Sequence, residues 1–145
     1  MSNCSRRNFL ELGARVGVGA LVLTQLSACA GTPLDGSVTA SGGQAQLTFA
    51  QFPKLASAGG GVVVDAGGTL LVVIRTGDTT AVGLSAVCTH EGCTVEYLGG
   101  TTPIDCPCHG STFNAAGVAL SGPARTSLRS YTASVDTSAI TVTLA

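Results

Sequence analysis

The stretch Cys88-Thr89-His90-Glu91-Gly92-Cys93 is followed, twelve residues on, by Cys106-Pro107-Cys108-His109-Gly110-Ser111. Both histidines of the chain and four of its six cysteines fall inside this window. Thiolates and imidazoles gathered so closely favour a metal site over chance placement.

Donor arithmetic leaves three metal readings and one plain alternative. Structural zinc takes Cys and His tetrahedrally in two close pairs, and here it would leave two cysteines over. A four-Cys iron–sulfur cluster uses every thiolate and leaves both histidines idle. A 2Fe–2S cluster with two Cys on one iron and two His on the other employs all six residues, provided the remaining cysteines tie the loops together by a disulfide. Two disulfides with incidental histidines need no metal at all.

The two segments resemble the cluster-binding loops of Rieske iron–sulfur proteins, and with the strand pattern the likeness covers roughly residues 47–145. That resemblance implies that Cys88 and Cys106 ligate the inner iron and that His90 and His109 ligate the outer, more exposed one. It implies a disulfide between Cys93 and Cys108. It also matches Ser111 to the serine whose hydroxyl donates to a bridging sulfide, and Gly122-Pro123-Ala124 to the proline loop covering the cluster. Arg125 stands where a second proline is often found. Exchanging two thiolates for neutral imidazoles removes negative charge, so Rieske centres span about −150 to +300 mV against about −400 mV for plant-type ferredoxins.

Two positions depart from the quinol-oxidising members of that family. Phe113 stands where a tyrosine commonly donates to a ligand sulfur, and this implies a potential below that of the ubiquinol-oxidising proteins. Glu91 stands at the exposed tip, where an apolar residue is usual. A carboxylate there costs desolvation in an apolar pocket unless it finds a partner.

The first residues read as an address. Ser5-Arg6-Arg7-Asn8-Phe9-Leu10 resembles the twin-arginine export signal, with Glu11 where Lys is frequent. The apolar stretch from Leu12 to Ala28 is short for a spanning helix, which needs about 20 residues. It ends in Leu26-Ser27-Ala28-Cys29, which resembles a lipobox, so residues 1–28 are expected to be an export signal and Cys29 a lipidation site. An uncleaved helical anchor is the other reading. Either places the domain outside the cytoplasm, on the periplasmic or cell-surface side, and holds it to the membrane. Residues 29–46, rich in Gly, Ser, Thr and Ala, read as a flexible tether, about 15 residues of which span roughly 20–25 Å.

The remainder, 47–145, is expected to be one all-β domain: a small antiparallel sandwich or barrel with an inserted subdomain carrying loops 88–93 and 106–111. Strand-like runs occur at 61–64, 70–75, 81–85, 94–98, 128–135 and 139–144, punctuated by Gly- and Asp-rich turns. Leu70–Ile74 is continuously apolar and fits a central strand, whereas Ile140, Val142 and Leu144 alternate with polar neighbours as a half-buried strand does.

With 145 residues and no Trp, the core must come from Val, Leu, Ile and Ala, so a metal or disulfide is needed as reinforcement. Charged residues are only 10% of the chain and no basic run occurs, which excludes nucleic acid as a partner. Beyond the signal, four basic residues face seven acidic ones, from seven less Arg6, Arg7 and Arg15, and eight less Glu11. No nucleophile or substrate pocket is evident, so an electron carrier is expected and not a complete enzyme. The resemblance implies a subunit of a quinol–cytochrome c reductase-like complex, with a cytochrome b or c-type partner and His109 contacting quinol. The alternative is a small subunit partnered by a large oxidase subunit, as in molybdenum enzymes of the arsenite-oxidase kind. A dioxygenase ferredoxin fits less well, since its kind lacks the extra cysteine pair and works in the cytoplasm.

Overall fold

The computed structural model describes residues 34–101 and 103–144. The expected signal, Cys29 and the tether as far as residue 33 lie outside the described residues. No helix among the described residues is long and apolar enough to cross a membrane.

Twelve strands build two sheets. They are β1 (Gly36–Val38), β2 (Ala40–Ser41), β3 (Gln44–Thr48), β4 (Gly61–Ala66), β5 (Thr69–Arg75), β6 (Ala81–Ser85), β7 (Glu96–Tyr97), β8 (Ile104–Cys106), β9 (Ser111–Phe113), β10 (Ala119–Ser121), β11 (Ser130–Val135) and β12 (Ala139–Thr143). The larger sheet runs β1-β4-β5-β6-β11-β12-β3-β2 and curls until β1 comes near β3, giving a nearly closed barrel. The smaller runs β10-β9-β8-β7. All pairings are antiparallel except β1 with β4. A four-residue 3₁₀ turn, Pro53–Ala56, links β3 to β4.

The register explains the insertion. Ser130 pairs with Leu84 and Tyr131 with Gly83, so β6 and β11 are neighbours although residues 86–129 lie between them. Those residues form the smaller sheet and both cysteine–histidine loops, as the inserted subdomain of the sequence reading requires.

The continuously apolar β5 is central because it is buried on both faces. Leu71 and Val73 join Val62, Val64, Leu47, Ile140 and Val142 inside the barrel. Val72 and Ile74 join Leu84, Val95, Ile104, Phe113 and Leu128 beneath the inserted subdomain. Each such side chain contributes about 1.5–3 kcal/mol by leaving water. Tyr97 locks the two parts together. Its ring lies so close over Gly61 that a Cβ there would come within 2.6 Å, and its hydroxyl donates to the Gly59 carbonyl at 2.6 Å. Burial raises its pKa from the usual phenol value.

Two expectations need correction. Residues 36–46 are not tether: β1, β2 and the start of β3 are paired into the larger sheet. Among the described residues the first anchoring contacts are at Asp35, whose N–H donates to Val63 O (2.7 Å) and whose carboxylate accepts from Val63 N–H (2.8 Å) and from Lys54 Nζ (2.7 Å). The run at 94–98 is shorter than expected: Thr94 makes one bridge to Val87, and only Glu96–Tyr97 is strand.

Candidate metal centre

The first loop leaves β6 and turns tightly. Gly92 N–H donates to Cys88 O (2.9 Å) and Cys88 N–H to Cys93 O (2.8 Å). The second loop is the turn of the β8–β9 hairpin, closed by Gly110 N–H to Cys106 O at 2.9 Å. These turns aim Cys88 and Cys106 inward and His90 and His109 toward solvent.

The cysteines divide into two kinds. Cys93 and Cys108 form a disulfide joining the loops. This removes the four-thiolate reading and leaves no surplus thiols. Cys88 and Cys106 are free and buried. Burial raises the Cys106 thiol pKa, and so does the adjacent Cys88 sulfur, while the backbone N–H groups of Cys108 and His109 bonding to it act in the opposite direction. Those two amides are placed to stabilise negative charge on sulfur.

The histidine rings stand edge to face with centroids 4.9 Å apart. Ring nitrogens of both and a Glu91 oxygen lie within 4.8 Å of one another. Glu91 Oε2 is 3.7 Å from His109 Nε2, beyond hydrogen-bond reach, with the two side chains 62% and 45% exposed.

The proline segment closes the site from a third side. Ser111 is the fully buried polar residue here, and its Oγ accepts from Ala124 N–H at 3.1 Å. The hydroxyl's own hydrogen is not committed to another hydrogen bond among the described residues. Gly122 has φ +87°, and a Cβ on it would lie 2.5 Å from Ser111 Cα and 2.7 Å from Gly110 O. No side chain fits there. Pro123 and Arg125 are exposed beside it, and Phe113 is fully buried with no donor to offer.

Sequence reasoning missed three contributors. Thr89 Oγ1 donates to Thr126 O at 2.7 Å, tying the first loop to the proline segment. Tyr97 and the amides of Cys108 and His109 are the others. Thr89, Cys108 and His109 lie in the two motifs, whereas nothing in the sequence points to Tyr97 or Thr126.

Two inward thiols, two outward imidazoles, a loop-bracing disulfide and a buried hydroxyl define a site for a mixed-ligand iron–sulfur centre on a small β-barrel. The model of the Rieske [2Fe-2S] domain matches residues 49–132. The chain belongs to the Rieske [2Fe-2S] family, and as such binds one 2Fe–2S cluster, a group that this donor set fits.

Among curated proteins it is 47% identical over 60 residues to the chloroplastic cytochrome b6-f complex iron-sulfur subunit of Volvox carteri, covering 41% of this chain and 29% of that protein. It is 42% identical over 74 residues to the cytochrome b6-f complex iron-sulfur subunit of Prochlorococcus marinus (strain MIT 9515), covering 51% and 42%. The chain thus matches less than half the length of these relatives. The plasma membrane Rieske protein PetC3 from Synechocystis PCC 6803 superposes with a TM-score of 0.55 at 28% identity, covering 66% of this chain and 94% of that one. The ferredoxin of carbazole 1,9a-dioxygenase from Nocardioides aromaticivorans IC177 gives 0.51 at 25% identity, covering 61% and 88%.

Proposed function

We propose that this protein passes single electrons outside the cytoplasm, as the iron–sulfur subunit of a quinol–cytochrome c reductase-like complex. The observation that carries the reading is its 42–47% identity to cytochrome b6-f complex iron-sulfur subunits. The disulfide supports an oxidising compartment and separates the chain from cytoplasmic ferredoxins.

The bound cluster supplies one-electron transfer. In this reading Cys88 and Cys106, buried and free, would hold one iron of the cluster, and His90 and His109 the other. Ser111, held in place by the Ala124 N–H, would donate a hydrogen bond to the bound cluster. Pro123 shields the inner side from water. His109, the exposed edge of the site, is the group that meets quinol, with Glu91 beside it. The region before Asp35 serves as signal and anchor, with lipid on Cys29 or an uncleaved helix.

A second reading, the small subunit of an exported oxidase such as an arsenite-oxidase-type molybdenum enzyme, draws on Phe113 and Glu91. A carboxylate 3.7 Å from the His109 ring would enter any apolar quinol pocket together with it.

Mixing the reduced holoprotein with membranes bearing a cytochrome bc complex, or with an oxidase large subunit, separates the two by which restores electron flow. His109→Cys should shift the EPR spectrum and lower the midpoint. An unchanged spectrum would overturn the ligand assignment.

A further inference from the structure

We propose that the outer face of the smaller sheet is a docking surface for a redox protein with a basic, Lys- or Arg-rich surface, and that Glu96 and Asp105 anchor it. The proposal rests on the electron-carrier reading above and names the chemistry of its partner.

The register dictates this face. Tyr97 pairs with Ile104, Ile104 with Phe113, and Phe113 with Ala119; that row packs inward. The alternating row points out: Glu96 pairs with Asp105, Asp105 with Thr112, and Thr112 shares a 2.7 Å hydrogen bond with Ser121. Two carboxylates therefore stand directly opposite each other, an arrangement that destabilises a sheet. Neither has an ion-pair or side-chain hydrogen-bond partner among the described residues.

Most of the described cations are engaged elsewhere. Lys54 pairs with Asp35, Arg75 donates to the carbonyls of Leu55, Ala56, Gly77 and Asp78, and Arg129 lies over the Tyr131 ring. Arg125 remains, on the proline segment. An uncompensated pair across β7 and β8, with Asp105 one residue from Cys106, is what cationic side chains of a partner would neutralise. Complementary charge of this kind speeds encounter and fixes orientation. In the docked pair one electron would pass from the reduced 2Fe–2S cluster, which is oxidised, to the partner's ferric haem, which becomes ferrous; no bond changes and no proton moves in that step.

The test uses the full holoprotein with cytochrome c, a basic haem protein, as probe. Binding is measured calorimetrically at about 10 mM and about 150 mM ionic strength, where the Debye length falls from about 30 Å to about 8 Å. Wild type should bind more tightly at low salt. Glu96→Gln with Asp105→Asn should weaken low-salt binding about ten-fold and flatten its salt dependence. The same double variant should melt at or above the wild-type temperature, because a repulsion has been removed; a purely structural role would lower it. Thr112→Lys, on the same face, should weaken binding as well and decides the matter if the double variant folds poorly. An unchanged affinity in both variants overturns the proposal. EPR of the pre-reduced samples tests the carrier reading separately: a reduced-cluster signal that cytochrome c does not bleach, alongside intact, charge-dependent binding, would remove that reading and leave the docking face standing.

Discussion

The Thr89 hydroxyl donates to the Thr126 carbonyl across 37 residues of sequence, and at 2.7 Å this bond fastens the histidine-bearing loop to the segment that covers the site. A bond of this kind contributes about 0.5–1.5 kcal/mol net. Thr89→Val should lower the melting temperature of the holoprotein by a few degrees and speed cluster loss, with Thr89→Ser restoring both. Equal bleaching rates for wild type and Thr89→Val would show that the bond does not hold the lid.

Gly122→Ala should be far more damaging than its size suggests. The new methyl meets backbone atoms of Gly110 and Ser111, which cannot swing away as a side chain could, and its φ of +87° adds strain of about 1–2 kcal/mol. Iron and sulfide analysis should find the variant largely apo. Full occupancy would refute the idea that this close approach shapes the cavity.

The Cys93–Cys108 bridge closes a loop with a sequence separation of 15, for which chain entropy predicts about 3 kcal/mol. Replacing both cysteines by Ala should lower the melting temperature on the order of 10 °C. The cluster should also bleach faster in air. A melt within two or three degrees of wild type would mean that the ligands alone hold the loops together.

Phe113→Tyr places a phenol where there is no donor. If its hydroxyl reaches a ligand sulfur, a bond stronger by about 1 kcal/mol in the reduced state raises the midpoint by about 40 mV. The site is fully buried, so overpacking should cost about 1–3 kcal/mol of stability at the same time. Ser111→Ala should move the midpoint the opposite way. Redox titration of both variants checks the pair, and shifts of the same sign would contradict it.

Asp136 predicts an acid limb of the stability curve. Its carboxylate accepts from Ser138 N–H, Ser138 Oγ–H and Ala139 N–H in the β11–β12 turn, and the Ser138 backbone bond leads in holding its pKa below the ordinary 3.8. A folded pKa below the unfolded one means stability that is present above the unfolded value and lost as pH falls through the folded value. The melting-temperature gap between wild type and Asp136→Ala should therefore be constant from neutral pH down to about 5 and close below about 4. A gap that widens on acidification would show the sign to be wrong.

What the sequence made legible follows the range of the forces involved. Both loops were readable because the donors sit within a few residues of one another, and β5 because a strand buried on both faces must be apolar throughout. β1 and β2 were not, since two or three residues carry no periodicity and Gly36–Val38 acquires its partner only when β4 is folded beside it. The roles of Thr126, Gly122 and Asp35 likewise depend on residues far along the chain. The opposition of Glu96 and Asp105 required the hairpin register, which no composition reveals.

If the chain is anchored at Cys29, as proposed, the hold on Asp35 sets the length of the leash. Six peptide steps separate Cys29 from Asp35, a reach of at most about 20 Å even when fully drawn out. A domain moored at Cys29 would stay within that distance of its anchor. Its partners would have to come alongside by drifting in the membrane plane, so the traffic of electrons would be set by lateral encounter and not by the sweep of a long arm.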